Sequence, residues 1–131
     1  MSAINEMIEA VIALMNATQP FATVTRGALP TGNGLTCEIS PGMPETVFMD
    51  KNRECTINLV MNGKHASLKT VSDAMNNIHS ALTRAREYPQ GDSWQIVDIL
   101  NSTLPDIIGR EQNNEWIMAS QLTIKFFWRG D

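Results

Sequence analysis

A chain of 131 residues with 43% hydrophobic and 18% charged side chains has the size and composition of one folded domain, not of a disordered segment. Its net charge of −4 argues against general nucleic-acid binding, which rests on clustered Lys and Arg, and only Arg84 and Arg86 come close together within one element. No run of about 18 apolar residues occurs, so the sequence carries no expected membrane span, and the N-terminus lacks the basic and apolar blocks of a secretion signal.

The first expected element is a helix over residues 2–17. Ile4, Met7, Ile8, Val11, Ile12 and Met15 recur at the three-and-four spacing of a single helical face. Ser2 is its expected N-cap, Glu6 and Glu9 suit its positive end, and Gln19-Pro20 closes it. A short strand follows over 21–25. Residues 26–34 hold three glycines and a proline, a composition that predicts a loop. A second strand is expected over 35–39, closed by Ser40-Pro41-Gly42-Met43-Pro44.

Residues 46–49 and 54–62, separated by Asp50-Lys51-Asn52, read as a hairpin. In its second strand Cys55, Ile57, Leu59 and Met61 face one way, and Thr56, Asn58 and Asn62 the other. Asn62-Gly63 is then expected to turn the chain. A second helix is predicted over 68–87, with Leu68, Val71, Met75, Ile78, Leu82 and Ala85 on one face. Ser67 or Thr70 can cap it, with Asp73 in the first turn and Arg84 and Arg86 in the last, before Tyr88-Pro89-Gln90-Gly91 stops it. A fifth strand is expected over 94–101, an irregular or short helical connection over 103–109, and a polar turn over 111–114. The last strand, 115–128, has the clearest pattern in the chain. Trp116, Met118, Leu122, Ile124, Phe126 and Trp128 share one parity, and Gln121, Thr123 and Lys125 share the other.

The order helix, four strands, helix, two strands favours an α+β class. We expect one domain over 1–131, with two main helices packed on one face of a mostly antiparallel sheet of about four to six strands.

Little of the chemistry is explicit. His65 and His79 fall in a turn and a helix with no second ligand at i+4, and neither Cys-x-x-Cys nor His-Glu-x-x-His occurs, so no metal site is expected. His79 is expected to reach out at the edge of its helix face. Cys37 and Cys55 are read as buried reduced thiols in strands, as suits a chain made and kept in the cytosol. The Gly27, Gly32, Gly34 run lacks the Lys-Ser/Thr of a phosphate loop and leads into no helix. It reads as an exposed loop able to order on contact with a partner. The acid pairs Glu111 and Glu115, Asp98 and Asp106, and Glu38 and Glu54 read as surface solvation. No serine-nucleophile signature is present, and the expectation is of no catalytic residue and no cofactor. Trp94, Trp116 and Trp128 lie in strands, where core packing is the usual role, with Trp128 the best of them for an interface anchor.

Several runs together resemble one family. They are Leu35-Thr-Cys-Glu-Ile-Ser-Pro-Gly42, the hairpin into Cys55-Thr-Ile-Asn-Leu-Val-Met61, Met75-Asn-Asn-Ile-His-Ser-Ala-Leu82, and Ile107-Ile-Gly-Arg-Glu-Gln-Asn-Asn-Glu-Trp116. The chain resembles the small minor capsid proteins of the head–tail connection of long-tailed bacteriophages and prophages, which are similar in size and element order to tail-completion, or tail-terminator, proteins. The resemblance implies a non-enzymatic virion part that forms a ring, usually of six subunits. Such a ring caps the tail tube and joins it to the head connector. It implies as partners further copies of the chain, tail-tube and head-connector proteins, and DNA only as cargo passing through. It places the protein in the virion, and in the host cytoplasm before assembly.

The family offers no site motif, so the expected contact residues come from the loop and the polar strand faces. They are Arg26, Leu29, Thr31 and Asn33, then Thr56, Asn58, Gln121 and Thr123, with Trp128 at the end. Two other readings stay open. One is a cytosolic α+β module that binds a protein or peptide through its sheet; the other is a small hydrolase or transferase, which needs His65 or an acid pair to converge in a pocket.

Overall fold

The structure is a computed structural model and describes residues 3–29, 32–40, 46–47, 53–110 and 114–128. Its elements are α1 (Ala3–Asn16), β1 (Val24–Arg26), β2 (Gly34–Ser40), β3 (Thr46–Val47), β4 (Arg53–His65), α2 (Leu68–Thr83), β5 (Trp94–Arg110) and β6 (Trp116–Trp128). The class and the element order are those read from the sequence. The expected cap Ser2, the closure at 40–44 apart from Ser40, the turn at 50–52 and the turn at 111–114 apart from Asn114 lie outside the described residues.

One sheet has the order β1-β2-β4-β6-β5, and β3 pairs with the first residues of β4. The sheet is mixed: β1 runs parallel to β2, whereas the β2–β4, β3–β4, β4–β6 and β5–β6 pairings are antiparallel. The parallel pair explains the glycine-rich loop. A three-residue strand is only about 10 Å long, so the chain can double back beside it without a helical crossover. The return falls between Arg26 and Gly34, with Gly27 at φ 107° and Gly32 at φ 116°, a region open to glycine at no steric cost.

The core is one contiguous cluster drawn from both helices and from alternate strand positions. α1 contributes Met7, Ile8, Val11 and Met15, and α2 contributes Val71, Met75, Ile78 and Leu82. From β6 come Met118, Leu122, Ile124 and Phe126, so the parity read from the sequence is the parity that is buried. Register aligns these rows: Leu59 pairs Leu122, Ile57 pairs Ile124, and Ile99 pairs Ile124 from the other side.

The first strand, expected over 21–25, is Val24–Arg26, and three further boundaries differ from expectation, each for a physical reason. Asn62-Gly63 does not turn: β4 runs on to His65, paired with β6 throughout. Gly63 is there because α2 lies almost on the backbone, and a Cβ would stand 2.7 Å from Val71 Cγ2 and 2.8 Å from Met75 Sδ. α2 stops at Thr83, a turn early. Its final carbonyls find other donors: the Arg84 amide bonds Ser80 O, and the Tyr88 hydroxyl donates to Leu82 O at 2.7 Å. Arg84 and Arg86 therefore lie beyond the helix, while Ser67 is the N-cap, accepting from Thr70 N. Asp73 sits past the first turn, in an i,i+4 pair with Lys69.

The largest difference is β5. Residues 103–109 are not a helical connection; they continue the strand to Arg110, giving 17 residues against the 13 of β6. The four extra residues are absorbed at four register shifts, between Ile96 and Asp98, Asn101 and Thr103, Thr103 and Asp106, and Ile107 and Gly109.

Two substitutions test this account. Ile124→Asp should abolish soluble folding, because an unpaired carboxylate would enter a fully buried position; an unchanged thermal melt would reverse the assignment of the buried face. Gly63→Ala should cost about 1–3 kcal/mol by overpacking the α2 contact, read by chemical denaturation.

Candidate assembly surfaces

β5 forms one edge of the sheet, and the polar groups along it are only partly spoken for. At its start the turn over 89–91 covers it, with Gly91 N bonding Trp94 O and Ile96 N bonding Pro89 O. Further along, the Asp98 carboxylate takes the Ile99 amide at 2.9 Å and the Asp106 carboxylate takes the Ile107 amide at 2.8 Å. Pro105 has no amide to offer. Bulges, proline and side-chain caps of this kind blunt an edge against indiscriminate strand addition.

Several side chains of this edge are nonetheless large and apolar. Val97, Leu100, Leu104, Ile107 and Ile108 are all exposed, Leu104 at 61% and Ile108 at 63%. At the far end the Arg110 guanidinium stacks 4.6 Å from the Trp116 ring centroid, closing the hairpin tip with a cation–π contact. Sequence reasoning missed this ridge because its apolar residues follow neither a two-residue nor a 3.6-residue repeat. The available signal was the closeness of Leu104, Ile107 and Ile108 in a stretch too polar to be core.

The opposite side of the molecule is closed more tightly. The Asn16 side chain, at the end of α1, grips both polar groups of Val24: Val24 N donates to its Oδ1 at 2.8 Å, and its Nδ2 donates to Val24 O at 3.4 Å. Arg26, expected in the loop, is the last residue of β1. Its guanidinium donates to Asn5 Oδ1 at 3.1 Å and to Glu38 Oε1 at 3.0 Å. Glu38 also accepts from the Ile39 amide, and that bond, with Arg26, holds its carboxyl below the usual carboxylate range. Leu29 is half-buried and Asn33 exposed, while Thr31 lies outside the described residues.

Thr56, Asn58, Gln121 and Thr123 share the sheet face turned away from the core, and all four are half-buried. Asn58 pairs directly with Thr123, whose hydroxyl donates to Asn58 Oδ1 at 2.7 Å, and Gln121 and Lys125 flank them opposite Val60 and Thr56. The four therefore form one polar patch across β4 and β6. The Trp128 backbone ends β6, paired with Arg53 and Trp94.

The two histidines lie in separate settings. His65 accepts from Ser67 N at Nδ1 and meets the Phe21 ring edge-on at 4.8 Å. His79, expected at the edge of its helix face, is instead buried, with Nδ1 2.8 Å from Asn101 Oδ1 and Nε2 2.7 Å from Ser120 Oγ. Burial pushes its pKa down, while the Asn101 bond acts weakly against that. Cys37 is a fully buried free thiol, pushed up to about 11 by desolvation and then by Glu38. A recess of about 550 Å³ lies between the exit of α2 and the start of β5; its ionisable lining is Arg86, Glu87 and Tyr88. Among the described residues no group of three or more His, Cys, Asp or Glu is placed to hold a metal ion, and no helix is long and apolar enough to cross a membrane.

No protein-family model and no curated protein matches the sequence. The fold does match a chain of a solved structure described as the virion of a native gene transfer agent (GTA) particle. That likeness has a TM-score of 0.69, covers 97% of this chain and 99% of that one, and carries 13% sequence identity. Over nearly its whole length, the chain is similar in fold to a subunit of that virion.

Proposed function

We propose that this chain is a structural, non-enzymatic subunit of a phage-like virion, placed in a ring that completes the tail tube and joins it to the head connector. The observation that carries the reading is the end-to-end likeness of fold to a chain of a gene transfer agent virion, since both chains are covered almost entirely. The sequence resemblance to head–tail connection proteins points the same way.

The surfaces supply what a ring requires. A closed ring uses heterologous contacts, in which two different patches of each subunit fit one another. The apolar side chains of the outer half of β5, Leu104, Ile107 and Ile108, are one patch, on an edge blunted against random strand pairing but offering side chains that a shape-matched neighbour would bury. The polar β4–β6 patch around Asn58 and Thr123 is the other, suited to a wet contact. On this reading the partners are further copies of the chain, the tail tube and the head connector, with DNA only passing through, and the protein waits in the host cytoplasm before it joins the virion. An acidic chain lets DNA traverse the channel without adhering.

Particles produced without this protein should show separate heads and tails by negative-stain electron microscopy. Restoring the wild-type chain should rejoin them, whereas Leu104→Lys with Ile108→Lys should not, although that variant should melt like the wild type because both side chains are exposed. Normally joined virions in the absence of the protein would overturn the assignment.

A further inference from the structure

The buried imidazole of His79 is the one polar side chain that ties α2 to both strands of the terminal hairpin. Asn101 Oδ1 can only accept, so Nδ1 carries the ring proton and donates to it at 2.8 Å. Nε2 is then left to accept from the Ser120 hydroxyl at 2.7 Å. Both bonds are satisfied by the neutral ring. The position along β5 matters as much as the bonding. Up to Ile99 the strand alternates buried and exposed residues, whereas from Asn101 to Arg110 it has no buried side chain and shifts register three times. Asn101 is thus the last point at which β5 is held from the helix side by a described side-chain bond.

We infer that His79 is an acid-sensitive latch for the outer half of β5, which stays docked while the ring is neutral and loosens when the ring takes a second proton. A proton on Nε2 would leave the Ser120 hydroxyl hydrogen without its acceptor and place a charge in the core; the Nδ1 bond to Asn101 survives, so the loosening comes from the buried charge seeking water on the side where β5 is exposed. Among the described residues nothing opposite in sign faces the ring. α2 presents Met75, Ile78 and Leu82 on its buried face, β5 presents Ile99, and β6 presents Met118 and Leu122. Asp98 and Asp106 are turned on to backbone amides, Lys125 has the outward parity of β6, and Glu115, buried just before β6, is not among the groups that shift the ring. Cys37 shares the cross-strand row of Met61 and Ser120 but is a neutral thiol.

The sign follows from linkage. The docked ring resists protonation, whereas the released ring takes a proton near the ordinary histidine value of about 6.5. Docking is therefore at full strength above that value and weakens as pH falls below it. One proton taken up by the open form alone raises the opening constant up to about tenfold between pH 7.5 and 5.5. The ridge of Leu104, Ile107 and Ile108 lies on the released segment, so the latch would set how firmly that contact surface is presented. This consequence rests on the ring reading; the latch itself does not.

Hydrogen exchange on the full wild-type chain tests it. After correction for intrinsic rates, amides 102–110 should lose protection up to about tenfold between pH 7.5 and 5.5, while amides 56–62 of β4 keep theirs. In His79→Gln, which keeps a neutral donor and acceptor, the pH dependence should vanish. NMR titration of the His79 ring in the wild type should give a midpoint below about 6.5. Protection of 102–110 that is indifferent to pH, a parallel loss across the whole sheet, the same loss in His79→Gln, or a midpoint at or above the ordinary value would each overturn the latch. None of these readouts depends on virion assembly, so a failed joining experiment leaves the latch standing, and a failed latch leaves the ring.

Discussion

The ladder between β4 and β6 is the constraint on which the rest of the molecule depends. Thirteen consecutive residues of each strand pair without a break, from Arg53 opposite Trp128 to His65 opposite Trp116. An unbroken antiparallel ladder fixes register, and register fixes which side chains meet the helices, since a slip of one residue would send Leu122, Ile124 and Phe126 to the solvent face. The two helices can close over the sheet only because these rows are aligned. Gly63 then allows α2 to approach closely enough for Val71 and Met75 to reach the sheet. Ser120 is the one polar member of the buried parity, and it is answered by His79 in place of an apolar neighbour.

The elements that bury a stripe were legible in the sequence, and those that do not were obscure. Met7, Ile8, Val11 and Met15 announce α1, and Met118, Leu122, Ile124 and Phe126 announce β6, because burial imposes a period on composition. The outer half of β5 has no such period. Its side chains are exposed in succession and its register is reset by bulges, so neither template fits Ser102-Thr103-Leu104-Pro105-Asp106. Asn62-Gly63 misled in the opposite way. The dipeptide is a strong turn signal, but here the glycine answers a steric demand from a helix that begins five residues later, a fact of tertiary packing that no local window contains. The contact surfaces divided in the same manner. Thr56, Asn58, Gln121 and Thr123 could be grouped from parity alone, whereas Arg26 was assigned to a loop, and only the parallel pairing of β1 showed it to be a strand residue tied to Glu38 and Asn5.

The two edges of the sheet are managed differently, and the difference bears on what the molecule can do. At β1 the exposed polar groups are consumed locally: Asn16 stands in for a missing strand at Val24, and Glu38 caps Ile39. At β5 the amides of Ile99 and Ile107 are likewise capped by Asp98 and Asp106, yet the side chains between and beside them are large and apolar. An edge that needed only solubility would carry lysine or short polar residues there. Capped amides beside exposed apolar side chains resist fibrous stacking while leaving surface that a shape-matched neighbour could bury, which is what the proposed ring subunit would need.

Such a surface also has to be held in shape by something other than its own burial. Beyond Asn101 the strand contributes no side chain to the core, so its backbone bonds to β6, the Arg110–Trp116 contact at its far end and the His79 bond to Asn101 at its root carry the docking. Backbone pairing interrupted by register shifts is less cooperative than the unbroken ladder on the other side of β6, and local opening is expected to start where apolar contacts are few. The most exposed hydrophobic side chains of the described structure therefore sit on the half of β5 that buries no side chain. On the proposed ring reading, this segment would gain order when a neighbour covered it, with the β4–β6 ladder rigid behind it.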